Sequence, residues 1–533
     1  MDRYDFDQYV VLVSDNGNRA VQAKDGSFHM MFRKSDGFTA KWGRTMDDDP
    51  THCPWGNEIA DIEITTACSG IRDKDGNRAP CAFCFPKGTD ITMADGRRKD
   101  ISEIMVGDRV MSYHNGQLVE NVVKEVYCRD YMGKLIGGFA TYCDRRHRPE
   151  YHVLPDATPE HPFMVRNGNE YEEVKAVDLK YRPEAELLFD DNKNGCLGSL
   201  DERTYSGKVY NFHCEPNSMY FADGVLVHNC YKSNQPNGSY MPFDTFKVVF
   251  DKMNQPRTMT QIAFGVDAEC RTNPDVWRIM DYCNENGVTP NVTVADIDHE
   301  TADNIVRRCG ACAVSCYERN RNCCYDSIKL LTDEAKRQGK DSFKVNMHLL
   351  VSHETEKFVF EVLNDRLNDE RLKDMGAIVL LSLKQKGRGK AFRKMDDEVY
   401  RKVIFFLQDN HISYGSDSCG ANRLMASLKE YYKGKENGEE QYKRVINCVE
   451  ECEAARMSIF VNVKGEVFPC SFMEKEQGWE KGIDLTDDKY KNFTTQVWNH
   501  PRLLEWRMMA IFGHYAEFLW KIKVIIIKIL RRL

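Results

Sequence analysis

Cys84, the pair Thr158 and His161, the pair His228 and Asn229, and Cys230 are residues whose types and order could do covalent chemistry. A thiolate is the best side-chain nucleophile near neutral pH, and histidine exchanges protons in that range. These residues frame one stretch. It opens Cys84-Phe85-Pro86-Lys87-Gly88-Thr89 and closes Val225-Leu226-Val227-His228-Asn229, with Cys230 directly after. A single Thr-x-x-His phrase such as Thr158-Pro159-Glu160-His161 is ordinarily structural, but four elements in this order with these ends outweigh that reading. The chain also holds 20 cysteines in 533 residues, a density that favours metal or redox chemistry over a disulfide framework.

The elements that must position these groups change style along the chain. Between Cys84 and Asn229, turn pairs such as Asp95-Gly96, Asn115-Gly116, Asn167-Gly168 and Asp223-Gly224 punctuate short apolar-polar alternations, the pattern of β-hairpins. Beyond Cys230, apolar runs at Gln261 to Val266, Asn291 to Val294, Val345 to Val351 and Ala377 to Leu383 alternate with charged, helix-period segments. That alternation predicts a parallel α/β barrel or open sheet. An all-β block thus interrupts an α/β chain. The expected units are 1–83, 84–229, 230–416, 417–480 and 481–533, within the several domains that 533 residues allow.

The whole length from Cys84 to Asn229 resembles an intein, a self-excising domain of the Hedgehog/intein β-fold. Asp90 to Gly96, Ile104 to Val110 and Tyr210 to Asn229 fit the same pattern. Too few residues lie between His161 and Gly207 for a homing endonuclease, so a mini-intein is implied. The resemblance gives each residue a role. Cys84 converts the preceding peptide bond to a thioester, and Thr158 and His161 polarise that bond and protonate its nitrogen. Cys230 takes the acyl group, and Asn229 cyclises with help from His228. No cofactor is needed. Two positions depart from the pattern: Asn211 stands where an aspartate is usual and Ser218 where a histidine is usual, with His213 and Cys214 as nearby substitutes.

Removing the block joins Phe83 to Cys230. The strand-like Ile62 to Thr66 then leads to Cys68, a spacer of twelve residues, and Cys81-Ala82-Phe83-Cys230-Tyr231. This resembles the iron–sulfur loop of radical S-adenosylmethionine enzymes, whose usual spacing is Cys-x3-Cys-x2-Cys. The longer first gap costs little loop entropy. The resemblance implies a [4Fe–4S] cluster on Cys68, Cys81 and Cys230, with S-adenosylmethionine on the open iron and reductively cleaved to a 5′-deoxyadenosyl radical. Zinc is the rival for the same thiolates. Gly265 and Glu269 stand where that family meets the cofactor's amine. Cys84 has the spacing of Cys230 in the unspliced chain, so a cluster on Cys68, Cys81 and Cys84 would make splicing sensitive to oxygen or iron.

Further on, Cys419, Cys448, Cys452 and Cys470, with Gly465-Glu466-Val467-Phe468-Pro469-Cys470, resemble the auxiliary-cluster domains called SPASM or twitch. One auxiliary cluster is implied, and with it a peptide or protein substrate and an electron donor such as flavodoxin or ferredoxin. Buried thiols or zinc are the alternatives. Cys309, Cys312 and Cys316 read as core residues of a barrel strand rather than ligands. The fold class expected is therefore a partial (β/α) barrel host, interrupted by the all-β block and followed by a small α+β auxiliary domain. The competing function is a non-enzymatic zinc or iron–sulfur protein carrying a domain that cleaves without ligating.

Net charge is -8, with no broad basic stripe, so nucleic acid is not an expected partner. Met1 to Val13 carries four charged side chains before any apolar run, unlike a signal peptide, and a reducing cytoplasmic setting is expected. The basic, apolar tail Leu519 to Leu533 is shorter than the ~20 residues of a membrane span. A terminal packing segment or aberrant chain end is favoured there over a membrane-surface helix.

Overall fold

A computed structural model of the chain describes residues 1–45, 48–67, 71–72, 78–79, 84–114, 116–143, 149–159, 161–168, 170–217, 219–228, 239–265, 270–385 and 392–512. Cys68, Cys81, Asn229, Cys230 and Glu269 lie outside them, as does the tail from 513.

The chain begins with an antiparallel meander, β1 (Asp2–Asp5), β2 (Tyr9–Val13), β3 (Arg19–Ala23), β4 (Phe28–Arg33) and β5 (Phe38–Gly43). Its period-2 pattern buries Tyr9, Val11, Val13, Val21, Phe28 and Met30 on one face. The buried Arg19 ties that face to the rest of the host by donating to the Gly287 and Met259 carbonyls at 3.1 and 2.5 Å. Next come β6 (Ile59–Ile62) and a small hairpin, β7 (Ile71–Arg72) with β8 (Arg78–Ala79).

The block then forms a sheet of its own: β9 (Phe85–Pro86), β10 (Asp90–Thr92), β11 (Arg98–Asp100), β12 (Arg109–His114), β13 (Gln117–Cys143), β14 (Pro149–Ala157), β15 (Pro162–Asn167), β16 (Glu170–Lys175), β17 (Glu186–Leu188), β18 (Asn194–Glu215), β19 (Met219–Ala222) and β20 (Val225–His228). The long strands β13 and β18 pair antiparallel from Val122↔Glu215 to Thr141↔Cys196. Phe85, Val110, Val123, Phe163, Leu187, Phe212, Tyr220 and Val227 form a core that shares no residue with the core of the flanking chain.

After the block the chain alternates α1 (Phe243–Met253), β21 (Gln261–Phe264), α2 (Val276–Glu285), β22 (Thr289–Val294), α3 (His299–Arg308), β23 (Ala311–Cys316), α4 (Arg321–Arg337), β24 (Lys344–Val351), α5 (Glu356–Asn368), β25 (Ile378–Ser382), α6 (Asp397–Asp409) and β26 (Tyr414–Ser416). Strands β6 and β21 to β26 pair parallel in sequence order, making a half-barrel sheet. The helices are amphipathic: α2 buries Val276, Ile279, Met280 and Cys283 at helical spacing, and Asp298 caps α3 through the Thr301 amide. Each fully buried aliphatic side chain of this kind contributes about 1.5–3 kcal/mol. Cys312 and Cys316 on β23, and Cys309 just before it, are buried thiols of this core.

The last part holds the expected auxiliary unit over 417–480, and its hairpin joins the barrel sheet. It carries α7 (Ala421–Tyr432), α8 (Gly438–Ile446), β27 (Ser458–Val461), β28 (Glu466–Phe468), β29 (Ile483–Asp484) and α9 (Pro501–Phe512). β27 pairs parallel with β6, Ser458↔Ile59 to Val461↔Ile62, so the hairpin widens the barrel sheet instead of standing apart from it. The physical reason is burial: Ile459, Phe460 and Val461 are at most 1% exposed and need β6 beside them. Its turn uses Gly465 at φ +83°, as the Lys464-Gly465 pair predicts.

Candidate functional site

Cys84 and Thr158 are locked together at the mouth of the block. The Cys84 N–H donates to Thr158 Oγ1 at 2.9 Å, the Thr158 N–H donates to the Cys84 carbonyl at 2.9 Å, and the Thr158 hydroxyl donates to that carbonyl at 3.2 Å. Cys84 is 5% exposed, and Thr158 and His161 are fully buried. The Thr-x-x-His phrase is a turn between β14 and β15, closed by the His161 N–H on the Thr158 carbonyl at 2.9 Å. The His161 ring lies 4.0 Å from that of Phe85. Burial, with His228 adding, pushes the His161 imidazole down to about 3. It is therefore neutral at pH 7.

The position that departs from the intein pattern is accounted for. β9 pairs with β18 as Phe85↔Tyr210 and Pro86↔Val209, and the same register sets Cys84 across from Asn211. Asn211 Oδ1 accepts from the Tyr220 hydroxyl at 2.7 Å and from the Phe212 N–H at 2.8 Å. Tyr220 is fully buried, and burial first, then Cys214 and Cys84, raises its phenol well above the ordinary value. A neutral amide suits these surroundings, since a carboxylate there would lose its hydration. Cys214, one of the two nearby substitutes, is fully buried, its thiol is pushed up to about 12, and Asn121 Nδ2 donates to its sulfur at 3.4 Å. The side chain of His213, like Ser218, lies outside the described set.

At the other junction, β20 ends on His228, paired with Met219 of β19. His228 Nδ1 lies 3.5 Å from Glu173 Oε1, with side chains 17% and 10% exposed. Tyr220 and Glu173 were not singled out by sequence. Tyr220 carried a faint signal in its closeness to the block's end, and Glu173 carried none.

The host ends that flank the insertion meet each other. Asn273 Nδ2 donates to the Ile64 carbonyl at 2.7 Å and to the Met241 carbonyl at 2.9 Å, and the Met241 N–H donates to Ile64 at 2.8 Å. The Thr66 N–H reaches the Ser239 carbonyl at 2.8 Å, and the Ser239 N–H reaches Thr66 Oγ1 at 2.9 Å. This clasp sits past the C-terminal end of β6, the end at which parallel α/β sheets present their sites. Cys68 and Cys81 follow it in sequence, and Cys230 precedes its second half.

Other expected host residues are scattered. Gly265 ends β21 at φ +92°, where a Cβ would stand 2.5 Å from the Thr293 carbonyl, so close backbone approach alone demands glycine. Cys419 and Cys448 are exposed, Cys452 and Cys470 half-buried. Cys419 and Cys452 are near enough for their charges to interact. Cys448 instead lines a cavity of about 420 Å³ with Tyr414, Asp417, Leu424 and Glu450. The half-barrel also shows a polar face that sequence reasoning overlooked. Gln261, Asn291, Thr293, Ser315, Asn346 and His348 occupy the half-buried positions that alternate with the fully buried ones. Burial pushes His348 down to about 4, with Asp417 opposing.

No family model matches the chain, and no curated protein does. Among solved structures it is similar to a bacterial intein-like domain from Clostridium thermocellum, at 26% identity over 27% of this chain and 98% of that one, TM-score 0.22. It is similar to a DnaB intein from Synechocystis sp. PCC 6803, at 18% identity over 28% of this chain and 99% of that one, TM-score 0.22. It is also similar to BtrN in complex with AdoMet and 2-DOIA, at 10% identity over 52% of this chain and 78% of that one, TM-score 0.19. Likenesses at these TM-scores carry no argument of their own, and function rests on the residues.

Proposed function

We propose that residues 84–229 are a self-splicing intein and that the flanking halves are one host protein that splicing joins. The observation that carries this reading is the Thr158 hydroxyl on the Cys84 amide, because that nitrogen is the leaving atom of the Phe83–Cys84 bond. Cys84 sulfur attacks the Phe83 carbonyl; the C–S bond forms, the C–N bond breaks, and the freed nitrogen keeps the thiol's proton. Thr158 Oγ1 accepts from the Cys84 N–H and so holds that nitrogen in place as the bond breaks. The acyl group then passes to the Cys230 sulfur. Asn229 Nδ2 attacks its own main-chain carbonyl, releasing the Cys230 amine and closing a succinimide on the intein. That amine displaces the thioester sulfur, leaving a Phe83–Cys230 peptide bond.

Intact mass of the expressed chain, beside a Cys84→Ala/Asn229→Ala variant, tests the reading. Splicing gives a ligated host and a free 84–229 fragment, both absent from the variant. An unchanged chain in both preparations overturns it. Fragments without ligated product, unaltered by Cys230→Ala, favour a domain that only cleaves.

For the host, the supporting features are the half-barrel and the clasp past β6. Cys68, Cys81 and Cys230 would hold a [4Fe–4S] cluster, which supplies the electron and the open iron for reductive cleavage of S-adenosylmethionine. The polar sheet face would receive the substrate, with a peptide or protein as the class proposed and a flavodoxin or ferredoxin as reductant. Anaerobic reconstitution of spliced protein checks this. Formation of 5′-deoxyadenosine, lost in Cys68→Ala, supports it, and zinc binding without that product overturns it.

A further inference from the structure

Glu173 has no part in the splicing steps above, yet its carboxylate is 90% withdrawn from solvent. Burying a carboxylate is costly unless a cation or hydrogen-bond donor replaces the lost water. Among the described residues, the side chain within ion-pair reach of Glu173 is His228, 3.5 Å away through Nδ1. The strands make this meeting possible. β16 carries Glu173 opposite Met164 of β15, and β15 carries Phe163 opposite Val227 of β20, so Glu173 and His228 hang from two strands that both pair with β15. The next residue after His228 is Asn229, whose cyclisation cuts the second peptide bond.

We propose that Glu173 is the positioning residue of the carboxyl-terminal cleavage. It draws Nδ1 of His228 to itself, which fixes the ring of the residue that directly precedes Asn229 and leaves Nε2 to act. A carboxylate in that place orients the ring, as a buried acid does behind a catalytic histidine. Glu173 touches neither Cys84 nor Thr158, so its effect is confined to one of the two junctions. The inference rests on the splicing reading of the block.

The test separates the two junctions on the full-length chain. In a Cys84→Ala background the cleavage after Asn229 is followed by intact mass; in an Asn229→Ala background dithiothreitol cleaves the Cys84 thioester and reports the first step. Glu173→Gln is expected to slow the Asn229 cleavage about 10–100-fold, the scale on which partners of functional histidines act. The dithiothreitol cleavage stays within a factor of about two, and Glu173→Asp recovers part of the lost rate because the carboxylate is kept. An unaltered Asn229 cleavage in Glu173→Gln overturns the proposal. So does an equal fall in both steps that Glu173→Asp shares, which marks a role in folding. If the parent chain shows neither thiolysis at Cys84 nor cleavage at Asn229, the splicing reading itself fails.

Discussion

Thr158 touches Cys84 through both of that residue's backbone polar groups, and its hydroxyl lies 2.9 Å from the nitrogen that would leave in the proposed first step. The same side chain accepts from the Cys84 N–H and donates to the Cys84 C=O, so one hydroxyl holds the two peptide groups that meet at the Cys84 Cα. Thr158→Ala should slow dithiothreitol-induced cleavage at Cys84 about 100-fold, the usual effect of deleting one preorganised polar contact to a reacting amide. Thr158→Ser should keep most of the rate. Equal rates in all three chains would remove Thr158 from the mechanism.

Tyr220→Phe deletes the phenol that donates to Asn211 at 2.7 Å while leaving the ring in place. The amide oxygen keeps the Phe212 N–H, so the cost should be about 1 kcal/mol of block stability, the net worth of one buried hydrogen bond. Asn211→Asp buries a carboxylate among Phe212 and Tyr220 and should destabilise the block more than Tyr220→Phe does. Urea unfolding of a splicing-blocked chain orders the two variants, and the reverse order would count against the packing described.

The two parts of the chain should respond to pH in opposite directions. His161, pushed down to about 3, stays neutral when folded, whereas the unfolded chain takes a proton near the ordinary value of 6.5. Its contribution to stability is complete above pH 6.5 and is lost as pH falls toward 3, so the block weakens in acid. Glu453 is the reverse case: burial first, then Glu450, raises it to about 8. Its contribution is complete below the unfolded value of 4.5 and is lost as pH rises through 8. Glu453→Gln should therefore flatten the alkaline limb of host unfolding and leave the acid limb of the block alone.

A cluster on Cys68, Cys81 and Cys84 would make splicing sensitive to iron. Cys84 is 5% exposed and tied by its backbone to Thr158 of the block. Splicing rates of anaerobic precursor should be the same, within a factor of about two, with iron and sulfide supplied or withheld, because a buried thiol is poorly accessible as a ligand. A strong slowing by iron would show that Cys84 leaves its pocket.

Asn273→Ala should lower the stability of the host and not that of the block. It removes donors at 2.7 and 2.9 Å from two buried carbonyls, of which Ile64 retains the Met241 N–H. The expected cost is about 1–3 kcal/mol. Because the two cores share no residue, calorimetry of the splicing-blocked chain should show the host transition moving while the block transition stays.

The block was legible because its residues act locally: turn pairs such as Asp223-Gly224 bound the hairpin of β19 and β20, and the reactive residues sit at the ends of the segment. The barrel strands were legible from their apolar runs, and the last hairpin from Lys464-Gly465. What the text did not contain was partnership across distance. Nothing in Ser458 to Val461 names Ile59 to Ile62 as its neighbour, and no spacing links Glu173 to His228 or Tyr220 to Asn211. Those pairings depend on how whole sheets close, and a one-residue change in register would undo them. The polar face of the half-barrel was visible as Asn291-x-Thr293 and Asn346-x-His348, but only the observed burial turns that alternation into an open surface.

Strand β6 comes from the piece ahead of the insertion, while its neighbours on both sides, β21 and β27, come from the piece behind it. A nick at either junction therefore releases nothing: the leading fragment is an interior strand of a sheet and, through Arg19, part of the packing around it. Native size would be the same for intact molecules and for those nicked at one junction, and only a denaturing measurement tells those two apart. Botched excision would still yield an assembled two-piece host, so the penalty for slow splicing falls on the loop between Cys68 and Cys230, not on the architecture around it.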